Sequence, residues 1–237
     1  MTDILAFGAH PDDVELAAAG TLIHHIKMGA KVSIVDLTAG EMGTRGDAET
    51  RAAEAELSRK IMGVQNRMNL QLRDAFFEND EASLLKVVAA IRHFCPRVIL
   101  ANAITDRHPD HGRAAALVER ACFLSGLPKV VTQFEGAEQA AWRPESVYHY
   151  IQDRYIKPDL VVDITDSFSQ KMEAIHAFSS QFYKAGDLGP QTPISSEAFL
   201  QFIEARAREF GRIIGVEFGE GFTVERPLGI TNLMNIQ

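Results

Sequence analysis

The run Ala9-His10-Pro11-Asp12-Asp13-Val14-Glu15 brings an imidazole and three carboxylates together around one proline. Such a run can supply two metal ligands and leave a carboxylate unligated. A second cluster, Asp106-Arg107-His108-Pro109-Asp110-His111, adds two imidazoles and two more carboxylates. A catalytic zinc takes three protein ligands and keeps a position open for water. His10, Asp13, His108 and His111 are the candidate donors, and Asp12 and Asp110 remain for proton transfer. Ligands of this kind suit zinc and also admit ferrous iron.

Both clusters stand at the same kind of place in the chain. The apolar run Ile4-Leu5-Ala6-Phe7 precedes the first, and Val98-Ile99-Leu100-Ala101 precedes the second. Helix-like runs follow each of them, Leu16 to Met28 and Ala114 to Leu124. Two strand-to-helix turns of a parallel sheet lie on one edge, where open α/β sheets bind ligands. The dipole at each helix start favours the ionised, ligating carboxylate.

Between the clusters, strand and helix patterns alternate. Lys31 to Leu37 reads as a strand, Thr38 to Asp47 as a glycine-rich loop, and Glu49 to Ile61 as an amphipathic helix. Met68 to Leu72 reads as a third strand and Ala82 to Phe94 as a helix stopped by Pro96. The alternation predicts an α/β fold, a Rossmann-like mostly parallel sheet flanked by helices. A nucleotide cofactor is not expected, because Phe7-Gly8-Ala9-His10 is no dinucleotide fingerprint. Later segments read as strands at Val130-Val131, Ser146 to Ile151 and Leu160 to Ile164. A helix is expected to begin near Asp166 and run through Phe178, and another from Ser195 or Ser196 through Phe210. The loop around Gly186, Gly189, Pro190 and Pro193 is long enough to rim a site. The tail from Ile213 through Gly219 and beyond is apolar enough to be buried in a partner subunit.

His10-Pro11-Asp12-Asp13-Val14-Glu15, paired with His108-Pro109-Asp110-His111, resembles the LmbE-like zinc N-deacetylase family. Gly40-Glu41-Met42-Gly43-Thr44-Arg45-Gly46 is similar to its bacillithiol-biosynthesis branch, the N-acetylglucosaminyl malate deacetylases. The resemblance runs from Asp3 to about Tyr183 and implies one LmbE-like deacetylase domain over residues 1–237. It assigns His10, Asp13 and His111 as zinc ligands and Asp12 as general base, and it implies a homo-oligomer, a trimer or hexamer. The implied reaction is hydrolysis of the acetamide of an amino-sugar glycoside. The match leaves a malate glycoside, an inositol glycoside and a chitin fragment open as substrates. A zinc amidase acting on a thiol conjugate, a phosphoesterase and a metal-storing scaffold are the rival readings.

Composition bounds the partners. The chain has 237 residues, a net charge of −8 and 46% hydrophobic content, which fits one soluble domain with a sizeable core. No basic patch offers a nucleic-acid footprint, and no apolar run reaches membrane-spanning length. Two cysteines, Cys95 and Cys122, read as reduced thiols, and no signal peptide is expected, so a cytoplasmic chain is the expectation.

Chemistry then divides the labour. A nearby unligated base has to move the proton of the attacking water, and Asp12 beside Asp13 suits that role. His108, as an imidazolium held by Asp110, would stabilise the oxyanion. Arg45 and Arg51 are the cations expected to receive substrate carboxylates, with Thr44 and Tyr183 as further substrate-binding candidates. Of the adjacent aspartates, Asp13→Ala should empty the metal site. Asp12→Ala should keep the metal and lose about 10²–10⁴-fold in turnover. Metal analysis with steady-state kinetics checks this, and an emptied site in Asp12→Ala would exchange the two roles.

Overall fold

The computed structural model describes residues 1–186, 188–232 and 234. Its strands are β1 (Ile4–Gly8), β2 (Val32–Thr38), β3 (Asn66–Leu72), β4 (Val98–Ala101), β5 (Gln133–Phe134), β6 (Ala137–Glu138), β7 (Ser146–Tyr150), β8 (Leu160–Asp163) and β9 (Gly219–Thr223). The helices are α1 (Asp13–Lys27), α2 (Ala48–Met62), α3 (Glu81–Phe94), α4 (Pro109–Ser125), α5 (Phe168–His176) and α6 (Glu197–Ile214). Seven strands form one sheet in the order β3-β2-β1-β4-β7-β9-β8. The pairings from β3 to β7 are parallel, and β9 runs antiparallel to both its neighbours.

The hydrophobic pattern explains the layering. β1 is buried along its whole length and alternates between the two faces of the sheet. Leu5 and Phe7 pack with Val87, Ile91 and Leu117 from α3 and α4, whereas Ile4 and Ala6 pack with Ala18 and Leu22 of α1. Caps set the helix bounds. Asp47, Asp80 and Ser196 accept from the backbone N–H three residues on, and Gly63 and Gly215 end α2 and α6 in the left-handed region.

Two expectations are corrected here. Val130-Val131 is not a strand: Val130 closes a turn onto Leu127, and its carbonyl accepts from buried Arg92. The hairpin lies just beyond, where Glu135 and Gly136 both take the positive φ that a tight hairpin turn requires. The tail does not leave the fold at Gly219 either. It enters the sheet as β9, between β7 and β8, with Phe222 fully buried. Two glycines thin the apolar signal of that strand, because Gly219 and Gly221 lie against α6 too closely for a Cβ. Residues 233 and 235–237 of that tail lie outside the described residues. Among the described residues no helix is long and apolar enough to cross a membrane.

A buried ion pair locks β9 onto α1. Lys171 of α5 donates to Glu220 Oε1 at 2.6 Å and to the Leu16 carbonyl at 2.9 Å, and both side chains are 3% exposed. Glu220 in turn accepts the backbone N–H groups of Gly20 and Thr21 in mid-helix. Removing the cation alone leaves a buried carboxylate uncompensated, which costs about 3–5 kcal/mol. Lys171→Met should therefore lose that much unfolding free energy in a denaturant titration, and adding Glu220→Gln should recover part of the loss.

Candidate metal and catalytic site

The turn after β1 and the turn after β4 meet, because those strands are neighbours in the sheet. The ring centroids of His10 and His108 lie 4.7 Å apart, and those of His108 and His111 lie 5.2 Å apart. The Asp13 carboxylate stands between two of these rings, with Oδ2 3.6 Å from His10 Nδ1 and Oδ1 3.1 Å from His111 Nε2. Donors around a tetrahedral zinc with bonds of about 2.0–2.1 Å sit roughly 3.3 Å apart, so this set fits such an ion. The second ring nitrogens strengthen the fit. His10 Nε2 lies 3.0 Å from Asp74 Oδ1, and His111 Nδ1 lies 2.5 Å from Asp106 Oδ2. A metal-binding imidazole characteristically gives its other N–H to a carboxylate, which fixes its tautomer and orientation. Asp13 is itself held by Asn102 at 3.0 Å and Gln152 at 2.8 Å.

Sequence reasoning missed Asp74, Asp106, Asn102 and Gln152. Their signal was position: Asn102 follows β4 directly, Gln152 and Asp74 come two residues after β7 and β3, and Asp106 opens the second cluster. All four stand at the same sheet edge as the motifs.

The electrostatics separate the adjacent aspartates. Burial pushes Asp12 up to about 7, against the pull of the Arg51 guanidinium. Burial also opposes ionisation of Asp13, but His111 and His10 overcome it and hold its carboxyl well below the usual range. Burial pulls His111 down, and Asp13 and Asp106 more than offset that, raising it to about 9. His108 moves the other way. Burial, then the positive charge of His10 and His111, lowers it below its ordinary value. It caps α4 by accepting the Asp110 backbone N–H at its own Nδ1, 3.3 Å away. With Nδ1 accepting, Nε2 is the ring nitrogen left to donate. The Asp110 carboxylate faces elsewhere, accepting from Arg113 at 2.7 Å and the Ala75 N–H at 3.1 Å, with His10 Nε2 3.4 Å away.

His10, Asp12, Asp13, His108 and His111 line a cavity of about 320 Å³. Residues 5–122 match the family model described as PIG-L: GlcNAc-PI de-N-acetylase. A conserved protein of Thermus thermophilus, TT1542, is 32% identical and superposes with a TM-score of 0.86, over 98% of this chain and 99% of that one. The chain belongs to the PIG-L/LmbE-like deacetylase family. It is also 27% identical to the diacetylchitobiose deacetylase of Thermococcus kodakarensis, over 92% of this chain and 81% of that protein. To the probable N-acetyl-alpha-D-glucosaminyl L-malate deacetylase 2 of Bacillus cereus it is 28% identical, over 75% and 83%.

In this deacetylase the substrate-binding candidates are unequally placed. Thr44 and Arg45 line the cavity, and Arg45 also donates to the carbonyls of Ser180 at 2.7 Å and Pro190 at 3.1 Å. Arg51 is 4% exposed and binds protein groups: the Pro11 carbonyl at 2.7 Å, Asp12 Oδ2 at 3.1 Å and the Gly40 carbonyl at 3.1 Å. Arg51 also lines the cavity, with its Nη groups engaged by the protein. Tyr183 does not line the cavity, and Gln181, two residues before it, does. Glu15 belongs to the core, where it accepts from Arg67 and Ser58.

Outer carboxylates of this kind are worth about 10–100-fold in metal affinity. Asp106→Asn should weaken zinc binding by that factor while leaving His10, Asp13 and His111 in place. Competition with a chromophoric chelator measures it, and wild-type affinity in the variant would remove Asp106 from the site.

Proposed function

We propose that this deacetylase hydrolyses the acetamide of an N-acetylglucosaminyl conjugate with a zinc ion held by His10, Asp13 and His111, ferrous iron being the alternative metal. The observation that carries the reading is the Asp13 carboxylate spanning two imidazoles, with Asp12 buried and unligated beside it at the wall of the cavity. When bound, zinc acidifies water and polarises the amide carbonyl.

The chain's own groups supply the rest. Asp12, poised near neutrality, accepts the proton of the attacking water as its oxygen bonds to the acetyl carbon. His108 donates from Nε2 to the developing oxyanion. The C–N bond then breaks, Asp12 returns its proton to the leaving nitrogen, and acetate and the free amine result. Asp110 assists by holding the Ala75 backbone and supporting His10.

For the conjugate, we favour N-acetylglucosaminyl malate, the bacillithiol precursor. The Bacillus cereus relative supports it, as does the position of Arg45 and Thr44 in the glycine loop at the cavity wall. The relative from Thermococcus kodakarensis, matched over 92% of this chain, favours diacetylchitobiose as the second reading.

Acetate release from the malate glycoside, diacetylchitobiose and the inositol glycoside by zinc-loaded enzyme decides among them. No release from any of the three would overturn the proposed reaction. A charge-assisted arginine contact contributes about 1.5–3 kcal/mol. Arg45→Ala should therefore reduce kcat/KM on the malate glycoside about tenfold or more and change free N-acetylglucosamine much less. Equal losses on both would mean that Arg45 serves only to tie the loop to Ser180 and Pro190.

A further inference from the structure

Arg51 is an unusual place for a cation. It lies in the first turn of α2, where the helix dipole disfavours positive charge, and it is almost fully buried. Its guanidinium reaches across to the metal-bearing turn and binds that turn twice, at the Pro11 carbonyl and at Asp12 Oδ2. Nη1 holds the glycine loop through the Gly40 carbonyl.

Two backbone features show that the contact is built in. Asp12 has φ 127°, a conformation that costs a residue with a side chain about 1–3 kcal/mol, so something has to hold it there. Gly40 has φ 66°, and a Cβ at that position would lie 1.9 Å from Arg51 Nη1. A side chain at Gly40 would therefore displace this guanidinium.

We propose that Arg51 is a positioning residue that fixes the Asp12 carboxylate against the cavity and ties it to the glycine loop. The proposal rests on Asp12 moving the proton in the reaction described above. Asp12 and Asp13 are adjacent in sequence and take different partners. Asp13 turns to the imidazoles, and the arginine on the other side keeps Asp12 from following it. A carboxylate free to swing toward the imidazoles would leave the attacking water, and misplacement by about 1 Å can cost 10²-fold in rate. The competing role is contact with substrate, since Arg51 Nε is buried without a hydrogen-bond partner.

The two roles differ in which kinetic constant moves. Zinc-loaded Arg51→Met should lose about 10²-fold in kcat on both the malate glycoside and free N-acetylglucosamine, with KM within about twofold and one metal per chain retained. Guanidinium at low millimolar concentration, entering through the cavity, should restore part of the kcat of this variant and none in the wild type. Arg51→Lys should lie between, since one ammonium cannot span both Pro11 and Asp12. Gly40→Ala keeps the arginine but displaces it, and should reproduce the kcat loss if Arg51→Met fails to fold. A rise in KM confined to the malate glycoside, with kcat kept, would overturn the proposal in favour of substrate contact. Unchanged kcat in the folded variants would overturn it outright. Wild-type enzyme inactive on every acetamide would overturn the proposed reaction, and this role with it.

Discussion

Negative charge buried at one edge of the sheet is the constraint on which this structure depends. Asp12, Asp13, Asp74, Asp106 and Asp110 are each 8% exposed or less, and four of them contact His10 or His111. A carboxylate taken out of water costs several kcal/mol unless it is paired and hydrogen-bonded. Each of the five is paired: Asp12 with Arg51, Asp110 with Arg113, Asp74 with His10, and Asp13 and Asp106 with His111. A divalent cation held among these imidazoles and carboxylates would add positive charge where the buried carboxylates need it.

Adjacent aspartates acquire opposite properties from this field. Asp13 is surrounded by donors, from the imidazoles to Asn102 and Gln152, and stays ionised as a ligand must. Asp12 is buried, with one guanidinium pulling it down and the Asp13 carboxylate pushing it up, and it is raised to about 7, where a group can both take and return a proton. The positive φ at Asp12 turns the two carboxylates apart. Backbone strain, burial and one arginine thus give neighbouring aspartates opposite charge behaviour, as the proposed division into ligand and base requires.

The glycine loop is bound to the same machinery at several points. Arg51 holds Gly40, the Met42 N–H donates to Asp74 Oδ2, and Glu41 accepts the Asp74 N–H. A loop anchored to the partners of both His10 and Asp12 transmits its conformation to the reacting groups. The loop that carries Thr44 and Arg45 is therefore also part of the frame of the candidate metal site.

Much of this was legible in the residues. Apolar runs placed His10 and His108 at strand ends, and the parallel alternation put those ends on one edge, because strand polarity is fixed by the crossover helices. The paired motifs carried the family, and the donor types marked a potential His/Asp metal site. What the sequence could not carry was pairing across the sheet. Asp74 and Asp106 became partners of the imidazoles, and Arg51 became a partner of Asp12, only when β1, β3 and β4 were set side by side. Charge on a helix turn looks the same in sequence whether it faces a ligand or a buried aspartate. The late strand β9 was hidden for a related reason: its glycines and Glu220 lack strand character of their own. Their place is decided by α6 packing closely against them and by Lys171 reaching the carboxylate. Local pattern determined which elements form and which chemistry they bear, and tertiary packing decided which charged groups act on substrate and which hold the others in place.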